Sequence, residues 1–144
     1  MKKWVIILLM GLCYTAHAQK RTVHELIGAW EKAWNTYDLN EVTNLFITDS
    51  SVTYFSSEYA GLIHGIDSLL SHHRRFGFLP GGKKSDNRLW LTDVRYLSSS
   101  VTATWHFQRP ASPEQKGPVT FVLAKARSGF RIQHAHFSND PKPK

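Results

Sequence analysis

The chain has 144 residues and a formal net charge of +7, and 42% of its residues are hydrophobic. This size and composition suit one globular domain with a real core and exclude a disordered chain; the single cysteine excludes an internal disulfide. The basic residues are scattered and form no continuous basic face with interleaved aromatics, so we expect no nucleic-acid partner.

The N-terminus has the pattern of a signal peptide. Two lysines precede the apolar run Trp4 to Leu12, and Ala16-His17-Ala18 offers small residues at the spacing of a cleavage site. The apolar run is too short for a bilayer-spanning helix, which needs about 20 residues. The sequence therefore predicts a signal peptide over residues 1–18 and a single domain over residues 19–144. We expect an exported protein, periplasmic or extracellular, with no membrane attachment after cleavage.

Two helices are predicted at the start of this domain. Thr22 and Glu25 have the spacing of a capping box, and apolar residues then recur at three- and four-residue steps as far as Tyr37. Asp38 is placed to cap a second, shorter helix over Leu39 to Phe46. Both helices would bury one apolar side.

The middle of the chain predicts a strand and a third helix. Ser51 to Phe55 is rich in β-branched and aromatic residues, which favour a strand. A glycine-punctuated stretch from Tyr59 to Gly65 follows, and Ile66 to Phe76 has a helical pattern. We expect His72 and His73 on the surface of this helix.

The remainder of the chain is predicted to be sheet. Four segments bounded by turn-forming residues have strand character: Arg88 to Leu97, Val101 to Arg109, Val119 to Ala126 and Phe130 to Phe137. Four long consecutive strands predict an antiparallel meander. Helices followed by strands predict an α+β domain, in which a curved antiparallel sheet wraps around the N-terminal helices and leaves a conical cavity.

The last strand carries the titratable pair that bears most on function. In a strand, side chains two residues apart share a face, so Phe130, Ile132, His134 and His136 lie together and two imidazoles continue an apolar stripe. Three roles are open for the pair: hydrogen bonds to Tyr54, backbone or Ser138; ligand recognition or acid/base chemistry; and metal binding, which needs a third ligand. Because no third ligand is in sight, we expect no metal, and the sequence contains no cofactor motif.

Aromatic residues supply the rest of the predicted cavity wall. Alternation places Val101, Ala103, Trp105 and Phe107 on one face of their strand. We expect the main role of these residues to be in the hydrophobic core. Because ligand pockets are mostly apolar, the same residues can also contact a ligand. The ligand-binding residues predicted on this basis are Trp30, Trp34, Trp105, Phe107 and Phe121, with His64 at the cavity mouth, beside candidate catalytic residues Tyr54, His134 and His136.

Four local motifs carry a resemblance to a known family: Ala33-Trp34-Asn35-Thr36-Tyr37-Asp38, Val52-Thr53-Tyr54-Phe55, Leu62-Ile63-His64-Gly65-Ile66-Asp67 and Ile132-Gln133-His134-Ala135-His136-Phe137-Ser138. They resemble the SnoaL-like branch of the nuclear-transport-factor-2-like superfamily, which also contains the association domain of calcium/calmodulin-dependent kinase. The resemblance covers roughly Val23 to Asn139. It implies a cone-shaped, cystatin-like α+β barrel with an internal ligand pocket, commonly a homodimer through the outer face of the sheet.

The resemblance leaves function open, because the family includes isomerases, cyclases, dehydratases and non-enzymatic binding domains. Phe107 and Phe121 stand where the kinase association domain has pocket arginines, so its deep carboxylate site should not be carried over. We expect an exported module that binds a small apolar organic molecule. The alternatives are an isomerase, cyclase or dehydratase that uses a pocket histidine as general acid or base, and a dimerisation scaffold without a ligand.

Overall fold

Three helices and six strands make up residues 20–140, the part of the chain that the computed structural model describes. In chain order they are α1 (Val23–Thr36), α2 (Leu39–Leu45), β1 (Thr53–Phe55), β2 (Leu62–His64), α3 (Ile66–Arg75), β3 (Arg88–Tyr96), β4 (Ser100–Gln108), β5 (Gln115–Ala126) and β6 (Gly129–Phe137). The predicted signal peptide, residues 1–18, lies outside the described residues. Within residues 20–140, no helix is long and apolar enough to cross a membrane.

The predicted capping box starts α1. The backbone nitrogen of Thr22 donates to Glu25 Oε2 at 2.7 Å, and the backbone nitrogen of Glu25 donates to Thr22 Oγ1 at 3.3 Å. The helix buries Leu26, Ile27, Trp30 and Ala33 and ends at Tyr37, whose φ of 54° lies in the left-handed region. Side chains at these spacings share one face, so α1 packs one apolar side on the sheet.

The sheet has the strand order β2-β1-β6-β5-β4-β3. Strands β3 to β6 form the predicted antiparallel meander. Strand β1 pairs with β6 in parallel, so the sheet as a whole is mixed. Strand β5 begins at Gln115 rather than at Val119, and β2 forms within the stretch predicted only as glycine-rich connection.

Two bulges interrupt the ladders of this curved, unclosed sheet. The β3–β4 register shifts between Thr92 and Arg95, and Asp93 there has a φ of 52°. The β5–β6 register shifts between Val122 and Leu123, opposite Gln133. A bulge adds one unpaired residue to a strand, bends it and reverses the side on which later side chains lie. The second bulge decides which residues of β6 face the interior.

The core lies between the inner face of the sheet and the three helices. The inner face contributes Val101, Ala103, Trp105, Phe107, Val119, Phe121, Leu123, Ile132, Ala135 and Phe137, all buried. These residues follow the alternation predicted for β4, and the same period extends through β5. The α+β fold with helices against one sheet face is confirmed.

Candidate functional site

An apolar cleft opens at the end of the core formed by α1, β1, β4 and β6. Its buried wall is aromatic and aliphatic, with two half-buried rings nearer the opening: Tyr54, Leu89, Trp105, Phe107 and Phe137, then Trp34 and Phe76. Its mouth is polar and consists of Ser56, Ser57, Glu58, Arg109 and Gln115. An apolar wall with a few polar groups is the usual composition of a small-molecule site.

The cleft is narrow. Its cavity volume, taken as the space open to the centres of water-sized molecules, is about 40 Å³, and one water needs about 10–15 Å³ on this measure. The open conical chamber expected from the sequence is therefore mostly filled by aromatic rings. Trp30, for example, packs edge-on to Phe121 with ring centroids 5.0 Å apart. A ring-sized ligand would require a side chain at the mouth, such as the half-buried Phe76, to move.

Hydrogen bonds fix two parts of the wall. The side-chain amide of Asn35 accepts from the backbone nitrogen of Leu89 and donates to its carbonyl oxygen, both at 2.8 Å. This pair ties the end of α1 to the start of β3, beside Trp34. The indole nitrogen of Trp105 donates to the carbonyl oxygen of Ser138 at 2.9 Å. These hydrogen bonds hold the wall to the strand ends around it.

The predicted wall residues divide into two groups. Trp34, Tyr54, Trp105 and Phe107 line the cleft. Trp30 and Phe121, which are 1% and 0% exposed, do not line it and belong to the deeper core. Alternation assigns a residue to the inner face, but it cannot tell which inner residue borders empty space.

The prediction that His134 and His136 project into the cavity is wrong. The bulge at Gln133 breaks the alternation that linked them to Ile132, so Ala135 and Phe137 face the core instead. Nδ1 of His134 lies 2.8 Å from Thr53 Oγ1 on β1, and His136 is exposed. These two imidazoles therefore lie on the outer face of the sheet and cannot act in the cleft.

The imidazole of His134 is nevertheless constrained on that outer face. Partial burial, followed by the nearby His136, lowers its pKa, and the contact with Thr53 opposes the shift. Phe55 lies beside both rings, at centroid distances of 6.0 and 5.1 Å. Of the roles left open by the sequence, the structure shows hydrogen bonding. His134 contacts Thr53 rather than Tyr54, and Nε2 of His136 lies 3.4 Å from Oγ of Ser138, one of the predicted partners.

His64 does not lie at the cleft mouth, so that prediction is also wrong. It pairs with Thr53 across β1 and β2, on the outer face, and borders a separate surface groove between β2 and α3. The alternation of side chains along β2 places His64 on this outer face. Tyr54 faces the core, its partner Ile63 is half-buried, and His64 is exposed.

A second histidine pair, expected at the surface, is buried. His72 and His73 are 3% and 0% exposed. His73 Nδ1 lies 2.9 Å from the carbonyl oxygen of Leu69, and Nε2 of each ring has no partner among the described residues. Burial lowers the pKa of both to about 4, so both are uncharged at neutral pH. Spacing three and four residues after the buried Leu69 was the signal that could have placed them inside.

The mouth of the cleft is the part that the sequence did not predict. Ser56, Ser57 and Glu58 follow the end of β1, while Arg109 and Gln115 flank the loop between β4 and β5. Nε2 of Gln115 donates to Glu58 Oε1 at 3.4 Å, which joins the two sides. These loop residues are far apart in sequence and come together only in the folded chain, so no local sequence pattern predicted that they would lie close together. Within residues 20–140, no group of three or more His, Cys, Asp or Glu residues is placed to hold a metal ion.

Comparisons of the sequence find no matching family model and no matching curated protein. Solved structures, in contrast, match most of the chain. A protein of the nuclear transport factor 2 (NTF2-like) superfamily from Salmonella enterica aligns with a TM-score of 0.63 and 20% identity, over 83% of this chain and 89% of its own. A candidate calcium/calmodulin-dependent protein kinase II association domain from Xanthomonas campestris gives 0.63 and 17%, over 87% and 96%.

A candidate ketosteroid isomerase from Parabacteroides distasonis aligns with a TM-score of 0.60 and 17% identity, over 85% of this chain and 96% of its own. Likeness at this level of identity establishes the fold and not the activity. The chain therefore has the nuclear-transport-factor-2-like fold, and the resemblance found in its sequence is confirmed at that level.

Proposed function

We propose that this protein is an exported domain that binds a small apolar organic molecule in the cleft between α1, β4 and β6. The observation that carries the proposal is the composition of the cleft, an apolar wall with polar groups confined to its mouth. Such a site gains affinity from burial of apolar surface, at about 25 cal/mol per Å². Because the cleft is narrow, a ligand the size of a single ring with a short chain enters only when a side chain such as Phe76 moves.

The side chains of the buried cleft wall are suited to ligand binding rather than to proton transfer. Tyr54 is the one titratable group of the buried wall, and burial raises the pKa of its phenol, so it stays protonated at neutral pH. A protonated phenol donates a hydrogen bond but cannot act as a base. The alternative enzyme, an isomerase, cyclase or dehydratase with His134 or His136 as acid or base, loses its geometric basis because both rings lie outside.

Nuclear magnetic resonance of the indole N–H groups tests the binding site directly. Trp34 and Trp105 border the cleft, while Trp90 stacks on His106 on the outer face. Titration with neutral phenyl compounds, from ethylbenzene to 3-phenylpropanamide, should shift the Trp34 and Trp105 signals and leave Trp90 unchanged. If no compound in the series moves either cleft signal at millimolar concentration, the proposed function is wrong.

A variant that blocks the mouth of the cleft tests the same site through the dissociation constant. Ser57→Phe adds a ring at the mouth and should weaken binding of 3-phenylpropanamide at least tenfold. Ser98→Phe adds the same ring at the exposed turn after β3 and should leave the dissociation constant unchanged. Equal affinities for the two variants would place the compound elsewhere.

Export is part of the proposal and rests on the N-terminal pattern of lysines, apolar run and Ala16-His17-Ala18. Expression of the full chain in a bacterial host, followed by intact mass measurement of the periplasmic fraction, tests it. We expect a mature protein that begins at Gln19. A full-length product in the cytoplasm would contradict export.

We also propose that two copies pair through the outer face of the sheet, which remains unpartnered in the single chain. Phe55 and Leu62 expose 36% and 51% of their surface there. His106 is fixed on the same face, with Nδ1 2.6 Å from Glu114 Oε1 and Nε2 2.9 Å from Thr92 Oγ1. A face that combines exposed apolar residues with ordered polar ones is typical of an interface.

Light scattering coupled to size exclusion tests this pairing. Phe55→Glu should convert the protein to monomers, because it buries a charge in the interface. Leu97→Glu, at the exposed turn after β3, is the matched control and should remain dimeric. A wild-type protein that elutes as a monomer at high micromolar concentration would overturn the pairing.

A further inference from the structure

Arg109 lies where the inward-facing row of β4 reaches the mouth of the cleft. Trp105 and Phe107 face the cleft, and Arg109 is the next residue in that alternation. Its guanidinium carbon lies 5.3 Å from the centroid of the Phe107 ring. A guanidinium over an aromatic face is attracted by the ring, so the exposed Arg109 side chain is drawn towards the apolar wall.

The backbone at this position is also fixed. Nε2 of Gln108 donates to the carbonyl oxygens of Arg109 and Ser112, at 2.8 and 2.6 Å, and the nitrogen of Ser112 donates to the Arg109 carbonyl at 3.2 Å. The start of the loop between β4 and β5 is therefore a closed turn. The backbone from which the Arg109 side chain extends is therefore fixed at the rim.

Among residues 20–140, Arg109 forms no ion pair. In the part of the chain that the structure describes, the two ion pairs are Arg21 with Glu41 and His106 with Glu114. Glu58 also lies at the mouth, but its carboxylate accepts a hydrogen bond from Gln115 and forms no ion pair with Arg109. Arg109 thus offers its N–H donors to whatever occupies the opening.

We propose that the ligand of the cleft is an apolar monocarboxylic acid whose carboxylate binds Arg109 while its apolar body enters the aromatic wall. The inference rests on the proposed function and names the class of molecule. The planar guanidinium matches a carboxylate with two parallel hydrogen bonds, which an amide or an ammonium group cannot reproduce. Residues 19–144 carry 16 Lys and Arg against 11 Asp and Glu, a net charge of +5, which also raises the local concentration of anions.

Three compounds with one carbon skeleton test the proposal: 3-phenylpropanoate, 3-phenylpropanamide and 3-phenylpropan-1-ammonium. Dissociation constants are measured from the Trp34 and Trp105 indole signals at low and moderate salt. For the wild-type protein the carboxylate should bind about threefold to tenfold more tightly than the amide, since the contact is charged but partly exposed. The preference should shrink as salt increases.

Arg109→Gln should abolish the preference, so that the carboxylate and the amide bind equally. Arg95→Gln removes the same charge from an exposed position of β3 and is the matched control, with the preference retained. Equal binding of carboxylate and amide by the wild-type protein, or an unchanged preference in Arg109→Gln, would overturn the carboxylate assignment while the binding function stands. Tighter binding of the ammonium compound would overturn it in favour of Glu58. Absence of binding by all three would remove the proposed function itself.

Discussion

Nδ1 of His73 lies 2.9 Å from the carbonyl oxygen of Leu69, one helical turn earlier in α3. Nδ1 therefore carries the proton and donates, and Nε2 is an acceptor that has no partner among the described residues. Aromatic rings enclose it, with Phe78 at 5.0 Å and Trp34 at 5.6 Å between centroids. A proton added to Nε2 would place an unpaired charge inside the core.

This arrangement predicts a loss of stability in mild acid. Burial lowers the pKa of His72 and His73 to about 4 in the folded protein, and Arg75 adds to the shift at His72. An unfolded chain titrates near 6.5, so below that pH it binds more protons than the folded chain. The contribution of the uncharged imidazoles to the free energy of unfolding is complete above pH 6.5. It falls by roughly 3 kcal/mol for each imidazole as the pH falls towards 4. Urea denaturation at pH 7.5 and 4.5 measures the difference.

Two variants assign this loss to the buried pair. His73→Phe keeps the ring volume and removes one titrating group, so it should reduce the acid-induced loss by about half. His64→Gln removes an exposed histidine and should leave the loss unchanged. A His73→Phe protein with the full wild-type decline would show that other groups cause it.

The sequence was sufficient for the fold because its periodicity was clear. Thr22 with Glu25, the three- and four-residue steps of α1, and the alternation of β4 all appear where they were predicted. It failed for the orientation of His134 and His136 because one bulge at Gln133 reverses the face, and no local residue pattern announced that bulge. It failed for His72 and His73 because buried histidines are uncommon. The residue type was therefore given more weight than the helical spacing from Leu69, which indicated the buried face.

The outward orientation of β6 gives a second prediction. His134→Ala removes the hydrogen bond to Thr53 that joins β6 to β1 and should lower the free energy of unfolding by about 1 kcal/mol. His136→Ala changes an exposed ring and should stay within about 0.5 kcal/mol of wild type. Neither variant should alter the affinity for 3-phenylpropanamide, as measured by the cleft tryptophan signals. A loss of affinity in either would return that imidazole to the site.

A third prediction separates core from cleft. Phe121 is fully buried against Trp30 and does not border the cleft. Phe121→Ala should therefore lower the free energy of unfolding by about 3–5 kcal/mol, the usual cost of deleting a buried phenyl ring. Phe55→Ala, at a ring 36% exposed on the outer face, should cost far less in the isolated chain. Similar losses for both would contradict the assignment of Phe121 to the core.

The cleft residues show why a site is harder to predict than a fold. Trp34, Trp105 and Phe107 were found because alternation and helical spacing assign a face. Arg109 and Gln115 were not, because their meeting with the segment after β1 depends on the path of two loops. Sequence periodicity does not contain the distances between loops, and those distances determine which residues form the mouth of the cleft.

Gly117 gives the last prediction, because the C-terminal segment packs directly on it. A Cβ at this position would overlap the carbonyl oxygen of Ser138, the same atom that accepts the hydrogen bond of the Trp105 indole. Gly117→Ala should displace that segment and release the indole, lowering the free energy of unfolding by about 1–3 kcal/mol. Gly28→Ala is the matched control, since nothing lies within 4 Å of its Cβ, and in the interior of α1 it should stabilise by about 0.5–1 kcal/mol. The Trp105 indole resonance should move in Gly117→Ala alone; if it is unchanged there, the hydrogen bond to Ser138 does not hold the cleft wall.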